Sequence, residues 1–327
     1  MDRVAVIGLG NISSRHRRNI KLLYPNVKVF GMSASGRLVD EVVDDCDQLV
    51  SSIDCLITAG IEMAIVASPA PMHLLHALPL IRAGIPVLVE KPISVTESDA
   101  SILVEASDFY KTPLAVGYCL RYLTSAAKLK DMLSEQLIGQ VYNATIEVGQ
   151  YLPQWRPTKD FRKTVSANTE LGGGALLELS HELDFCRWLL GDLKVHLAFL
   201  RSSAELDLDV EDLADVVTTT QAGAVVSIHL DFLQHFPYRA GRFIGSKGTL
   251  VWDLLSNTII LEDSSGSNLL FSDPCRDKNK MYLDMIRDFE NLIRKKPNRC
   301  VTGHDALKTI SLISEIKSLS KPIGDLK

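Results

Sequence analysis

VAVIGLGNISSRHRRNI, residues 4–20, reads as a short apolar run, a glycine turn and then a helical stretch. Val4 to Ile7 are strand formers with no polar interruption, as expected of a strand covered on both faces. Gly8 supplies the tight turn. Gly10 lets main-chain N–H groups approach a ligand at the positive end of the helix that follows. The third glycine of a G-x-G-x-x-G pattern is replaced by Ser13, which is small enough to keep helix and strand closely packed. Strand, glycine turn and helix in that order make a pyrophosphate site. A dinucleotide is therefore expected on Gly8, Gly10, Asn11 and Ile12.

Working outward, further short apolar runs lie at residues 27–30, 63–67, 87–89 and 114–116. Helical stretches fall between them, among them 12–23 and 73–83, the latter closed by Gly84. Strands alternating with helices at this spacing predict a doubly wound parallel sheet, an α/β Rossmann domain. Beyond Arg121 the pattern changes. A helix is expected over 125–137, then the alternating run VYNATIEVGQYL from residue 141 and an irregular polar stretch. A glycine run opening a helix follows. Strand candidates at 195–201, 213–220, 224–232, 241–244, 249–252 and 258–261 succeed one another through short turns, which predicts an antiparallel meander. Two amphipathic helices close the chain. The first carries Met285, Ile286, Phe289, Leu292 and Ile293, and the second carries Leu307, Ile310, Ile313 and Ile316 behind a capping box at Thr302 to Asp305. The expected division is residues 1–121 as the dinucleotide-binding domain and 122–327 as an α/β domain with a large, open, mostly antiparallel sheet. The last helix is free to pack back on the first domain.

Composition narrows the function. The 327 residues suit two domains, and 46% apolar with 23% charged residues is a soluble balance. The net charge is −5 with no basic stripe, which argues against nucleic acid. No apolar stretch is long enough for a membrane span, and the sequence enters its first strand with no signal-peptide pattern. The six cysteines are scattered with no C-x-x-C pair, so neither a metal site nor a disulfide framework is expected. The cytoplasm is the expected compartment.

The second strand bears on which dinucleotide is held. An acid is expected ~20 residues after the glycines to bind a ribose 2′-hydroxyl. Here the strand runs into Phe30-Gly31-Met32-Ser33-Ala34-Ser35-Gly36-Arg37, with no carboxylate before Asp40. Ser33, Ser35 and Arg37 suit a 2′-phosphate, so NADP is preferred, with NAD as the alternative.

Two longer stretches, IVASPAPMHLLHALPLIRAGIPVLVEKPIS and GGGALLELSHELDFCRWLLGD, resemble the glucose-fructose oxidoreductase / inositol dehydrogenase (Gfo/Idh/MocA) family. The matching features are the glycine turn, Ser68-Pro69 with His73, Glu90-Lys91-Pro92, Arg121-Tyr122, His181 with Asp184, and the runs from Gly245 and Gly303. The resemblance covers essentially the whole chain. It implies an NAD(P)-dependent dehydrogenase or reductase acting on a sugar, nucleotide sugar or polyol. It also implies a homodimer or homotetramer formed through the C-terminal sheet. The stretch from residue 149 to 184 is similar to a branch associated with bacterial surface sugars.

Within that resemblance, Lys91 and His181 are the expected proton-handling residues, and Asp184 orients His181. Ser68, Pro69, His73, Glu90 and Lys91 border the cofactor, and a cis Lys91–Pro92 bond is expected. Arg121, Tyr151, Trp155, Arg156, Glu178 and His181 are the expected substrate contacts, with Tyr118 beside them, since aromatic faces cover sugar C–H surfaces and arginine meets anions. Many family members carry an aspartate four residues before the histidine. Here that position is Leu177, and Glu178 stands one residue on, about 100° around a continuous helix. The alternatives are a dinucleotide- and sugar-binding sensor without turnover, and an enzyme that keeps its dinucleotide tightly held.

Overall fold

The computed structural model describes residues 1–322 except 156, 159 and 204. They form two compact units. One comprises Met1–Cys119 and Asn279–Ile310; the other comprises Leu120–Lys278 and the chain from Ser311.

In the first unit the chain lays down β1 (Arg3–Ile7), α1 (Asn11–Leu23), β2 (Lys28–Met32), β3 (Gln48–Val50), α2 (Ile53–Thr58) and β4 (Met63–Val66). It continues with α3 (His73–Arg82), β5 (Val87–Val89), α4 (Glu97–Tyr110) and β6 (Leu114–Val116). These strands pair in parallel in the order β6-β5-β4-β1-β2-β3. Every residue of β4 and β5, and all of β1 after Arg3, is buried, which is why their sequences are apolar without alternation. Strand order reverses at β1, so the crevice beyond the strand ends opens beside Gly8. α1 buries Ser13, His16, Arg17, Asn19 and Ile20. α4 starts at Thr96, whose side chain accepts from Asp99 N.

The second unit contains α5 (Thr124–Ser134), β7 (Val141–Gly149), α6 (Leu152–Trp155), α7 (Ala175–Glu178) and α8 (Ser180–Leu190). After these come β8 (Leu193–Arg201), β9 (Leu213–Thr220), β10 (Val225–Asp231), β11 (Tyr238–Gly245), β12 (Thr249–Asp253), β13 (Thr258–Asp263) and β14 (Gly266–Ser272). Side chains of β9 alternate between buried and half-buried along its whole length, as befits a sheet with one covered face. Trp252 on the covered face is fully buried, meets Phe185 of α8 edge-on at 5.2 Å, and donates its Nε1–H to Ser125 Oγ at 3.0 Å.

The expected meander is interrupted. β7 is inserted between β10 and β11, parallel to β10 and antiparallel to β11. The link from β10 to β11 is therefore a crossing of β7 rather than a hairpin, and its length of chain, Phe232 to Pro237, is what the crossing requires. The single helix expected after the glycine run is also broken: Leu179 (φ −96°, ψ 21°) separates α7 from α8.

The chain closes with α9 (Lys280–Ile293), β15 (Val301–Thr302), α10 (Gly303–Leu319) and β16 (Ser320–Pro322). α9 belongs to the first unit, buries Met285, Ile286 and Phe289, and accepts a 2.6 Å hydrogen bond from Tyr24 Oη through Glu290. β15 adds an antiparallel edge strand to β6, and β16 pairs in parallel with β8. Thr302 caps α10 by accepting from Asp305 N.

Candidate active site

The glycine turn is built to receive a phosphate. Gly8 has φ +111°, and a Cβ there would lie 2.4 Å from Ala67 O and 2.6 Å from Ser13 Oγ. Around Gly10 there is open space on the side a Cβ would occupy. Gly10 is the N-cap of α1 and offers no side-chain cap, so the first helical N–H groups, on Asn11 and Ile12, are left for an anion. Ser13 is fully buried and donates to Ala67 O at 3.1 Å, fastening the helix to the end of β4 where a glycine would only pack. A cavity of about 650 Å³ opens beside the turn, lined by Gly10, Asn11, Arg17, Arg37 and Asp40 among others. This cradle fits a dinucleotide.

Beyond β2, Ser33 donates to Arg37 O at 2.6 Å and so shapes the loop, while Ser35 and Arg37 are exposed. Arg17, not among the expected site residues, lines the same cavity. It is buried, donates through Nε to Asp44 O, and burial lowers its pKa against the pull of nearby acids. Its position was readable: residues 13, 16, 17 and 20 share one face of α1.

At the end of β5 the Lys91–Pro92 peptide is cis. Glu90 is buried. Its Oε1 lies 2.6 Å from Nε2 of the fully buried His16, and its Oε2 accepts from Lys91 N at 3.1 Å. Burial pushes the Glu90 carboxyl up, but the hydrogen bond and charge of His16 and the charge of Lys91 outweigh it, and the pKa lies below the ordinary value. Glu90 was expected to border the cofactor; the structure turns its carboxylate inward to His16. His73 is buried between carbonyls, with Nε2 2.9 Å from Ser68 O and Nδ1 3.0 Å from Pro92 O. Burial lowers its pKa despite those carbonyls. Ser68 Oγ meets His76 Nδ1 at 2.9 Å. Tyr118, expected beside the substrate contacts, has no exposed surface.

In the second unit the glycine run answers a packing demand. A Cβ on Gly173 would lie 2.5 Å from Val165 O, and one on Gly174 (φ +102°) would lie 2.5 Å from Glu211 Oε1. Glu211 accepts from Leu176 N at the start of α7. α8 is fastened on several sides. Glu182, fully buried, holds Arg239 with both oxygens at 2.6 and 2.9 Å. Asp184 holds Arg121 in the same bidentate way, at 2.8 and 2.6 Å, and Lys130 donates to Trp188 O. The consequence is selective display. From Gly172 to Arg187, only Glu178 and His181 are not buried. The break at Leu179 means that their directions are not those of one continuous helix.

Asp184 and Arg121, expected beside His181 and beside substrate respectively, are thus brought together as an internal ion pair. Tyr151 stacks on His235 at 4.1 Å, and Trp155 packs edge-on against Phe232 with its Nε1–H donated to Gln150 O. Arg156 lies outside the described residues. Among the described residues no helix is long and apolar enough to cross a membrane, and no group of three His, Cys, Asp or Glu side chains is placed to hold a metal ion.

Comparison with known proteins agrees with this construction. Residues 3–118 match a family model described as an oxidoreductase family with an NAD-binding Rossmann fold, and residues 126–251 match the GFO/IDH/MocA C-terminal domain. A 1,5-anhydro-D-fructose reductase of Ensifer adhaerens is 25% identical over 86% of this chain and 80% of its own. The myo-inositol 2-dehydrogenase of Thermotoga maritima is 23% identical over 95% and 93%. The WlbA dehydrogenase of Bordetella pertussis, solved with NADH and UDP-GlcNAcA, superposes with a TM-score of 0.81 over 97% of this chain and 96% of its own; at 20% identity the likeness is one of fold. The two matched domains account for most of the sequence, and the chain belongs to the GFO/IDH/MocA oxidoreductase family.

Proposed function

We propose that this member of the GFO/IDH/MocA family is an NADP-preferring enzyme that oxidises or reduces a carbinol or carbonyl carbon of a sugar, nucleotide sugar or polyol. The bound nicotinamide supplies or accepts the hydride. The observation that carries the reading is the end of β5. Glu90 is buried and paired there, so Lys91 is the half-buried ionisable side chain at the ligand-facing edge of a dinucleotide-binding sheet. Lys91 takes the hydroxyl proton on oxidation and returns it on reduction. His181 and Glu178 are the proton-handling groups of the second unit, chosen because α7 and α8 bury everything around them. Tyr151 and Trp155 supply apolar ring surface for sugar C–H groups. The preference for NADP rests on Ser33, Ser35 and Arg37 and on the placement of Arg37 at the cavity. A homodimer or homotetramer through the open sheet face is part of the same reading; Leu197, Phe199 and Val217 on that face are only half-buried in the single chain. So is a cytoplasmic location.

The test follows nicotinamide absorbance over a panel of sugars, nucleotide sugars and polyols, with Lys91→Met beside the wild type. A substrate should emerge, and the variant should lose about 100-fold or more in kcat. Unchanged turnover in Lys91→Met removes the lysine from the chemistry. Tight NADPH binding with no turnover anywhere in the panel reassigns the protein as a sensor.

A further inference from the structure

Among the buried ionisable side chains of the first unit that the proposed chemistry does not use, His16 is the one that meets Glu90. His16 sits in the middle of α1 with no exposed surface. Its Nε2 meets Glu90 Oε1 at 2.6 Å, and its Nδ1 has no hydrogen-bond partner among the described residues. Leaving a buried ring nitrogen unsatisfied costs stability, and an apolar pair at positions 16 and 90 serves packing better. The residue choice therefore calls for a reason other than packing.

The surroundings supply one. Glu90 is held through both of its oxygens, by His16 and by Lys91 N. A Cβ on Gly117 would lie 3.0 Å from Glu90 Oε2, so the carboxylate fills the space that the glycine leaves. Tyr282 closes the other side of His16 with its ring edge-on at 6.3 Å, under the guanidinium of Arg15. The remaining oxygen of Glu90 accepts from Lys91 N at 3.1 Å. At the other end, His16 is one and a half turns from Asn11, about 8 Å along the axis of the helix whose first N–H groups face the dinucleotide cradle. Two hydrogen bonds in series thus join the phosphate-binding helix to the backbone of the lysine.

We propose that His16 is a positioning residue. Through Glu90 it fixes the main chain of Lys91, so that seating a dinucleotide on α1 sets the lysine in its working position. This rests on the reading of Lys91 as the proton-handling residue, and the experiment separates the two. The lysines are reductively methylated with ¹³C-formaldehyde, which keeps their charge. The Lys91 resonance is assigned by its loss in Lys91→Arg, and its displacement on saturation with NADPH is measured in wild type, His16→Gln and His16→Leu. Glutamine places an amide N–H near the position of the imidazole Nε2; leucine offers no donor.

Wild type and His16→Gln should show the same displacement, and His16→Leu should lose most of it while its NADPH Kd stays within about threefold. In turnover, His16→Leu should fall at least about tenfold in kcat with little change in KM, and His16→Gln should recover. Should His16→Leu not fold, Glu90→Met interrupts the same link, because its side chain offers no oxygen to either His16 Nε2 or Lys91 N. The proposal is overturned by an unmoved Lys91 resonance in the wild type, by a full displacement in His16→Leu or, in its place, Glu90→Met, or by loss of NADPH affinity in proportion to kcat. If the resonances behave as expected but no panel compound is turned over, the functional reading fails and the positioning role stands.

Discussion

Asp184→Leu should unfold the second unit several degrees early, and the double variant Arg121→Met/Asp184→Leu should restore most of the loss. Both side chains are nearly inaccessible, at 8% and 2% exposure, and they share two charge-assisted hydrogen bonds of 2.8 and 2.6 Å. Removing one partner leaves the other charge buried without its counter-ion, at a cost of about 3–5 kcal/mol. In a unit of this size each kcal/mol moves the transition by about 2–4 °C, so either single variant should lose roughly 6–20 °C in Tm. Replacing both by apolar residues removes the stranded charge, and such replacements are often neutral. Urea titration of the four proteins gives the coupling energy, expected to exceed about 2 kcal/mol. Two single variants within about 1 kcal/mol of wild type, or losses that simply add in the double, would refute the claim that this pair fastens α8.

Other expectations can be checked separately. Arg37→Ala should weaken NADPH by about 10–100-fold, the worth of one charge-assisted contact, and leave NADH within about threefold; fluorescence titration with both cofactors decides it. Leu177→Asp should not restore a third acid to the site. Leu177 is 4% exposed, so the new carboxylate is stranded in the core, and chemical denaturation should show a loss of about 3 kcal/mol or more. His229 is held by hydrogen bonds to Asp231 and Asp215, which against partial burial push its pKa up to about 9 from 6.5. A raised folded pKa gives stability that is fully present below pH 6.5 and lost as pH rises through 9. Thermal scans should therefore show wild-type Tm falling over that window and His229→Gln falling less.

The first half of the fold was legible because its strands are buried on both faces. Runs such as Met63 to Val66 carry no polar residue to blur the reading, and glycines mark the turns. The second sheet was legible strand by strand but not in order. Alternation shows which face of β7 is covered, yet nothing local shows that β10 and β11 leave a gap for it. Long-range pairing of that kind is decided by side chains far apart in sequence. β15 is two residues long, too short for any periodicity. At the candidate site, Lys91, Glu178 and His181 were expected from the family resemblance. The partners of Asp184 and Glu90 were not, because a contact spanning 63 or 74 positions leaves no local trace. His16 did leave one, as a polar residue on the buried stripe of α1.

The first unit is assembled from two stretches of chain, Met1–Cys119 and Asn279–Ile310, and this governs the order of events on the ribosome. When residue 119 emerges, β6 has one unpaired edge, and Asn19 and Tyr24 on or beside α1 still lack Asn279 and Glu290. An uncovered strand edge invites pairing with other chains. The second unit must be synthesised in between, so the nascent dinucleotide-binding half waits through some 160 residues of translation, about 8–30 s at typical rates, before its closing helix and strand arrive. Expression yield should accordingly be more sensitive to substitutions that destabilise this half alone than to equal losses in the other, because its partly built form is the longer-lived one.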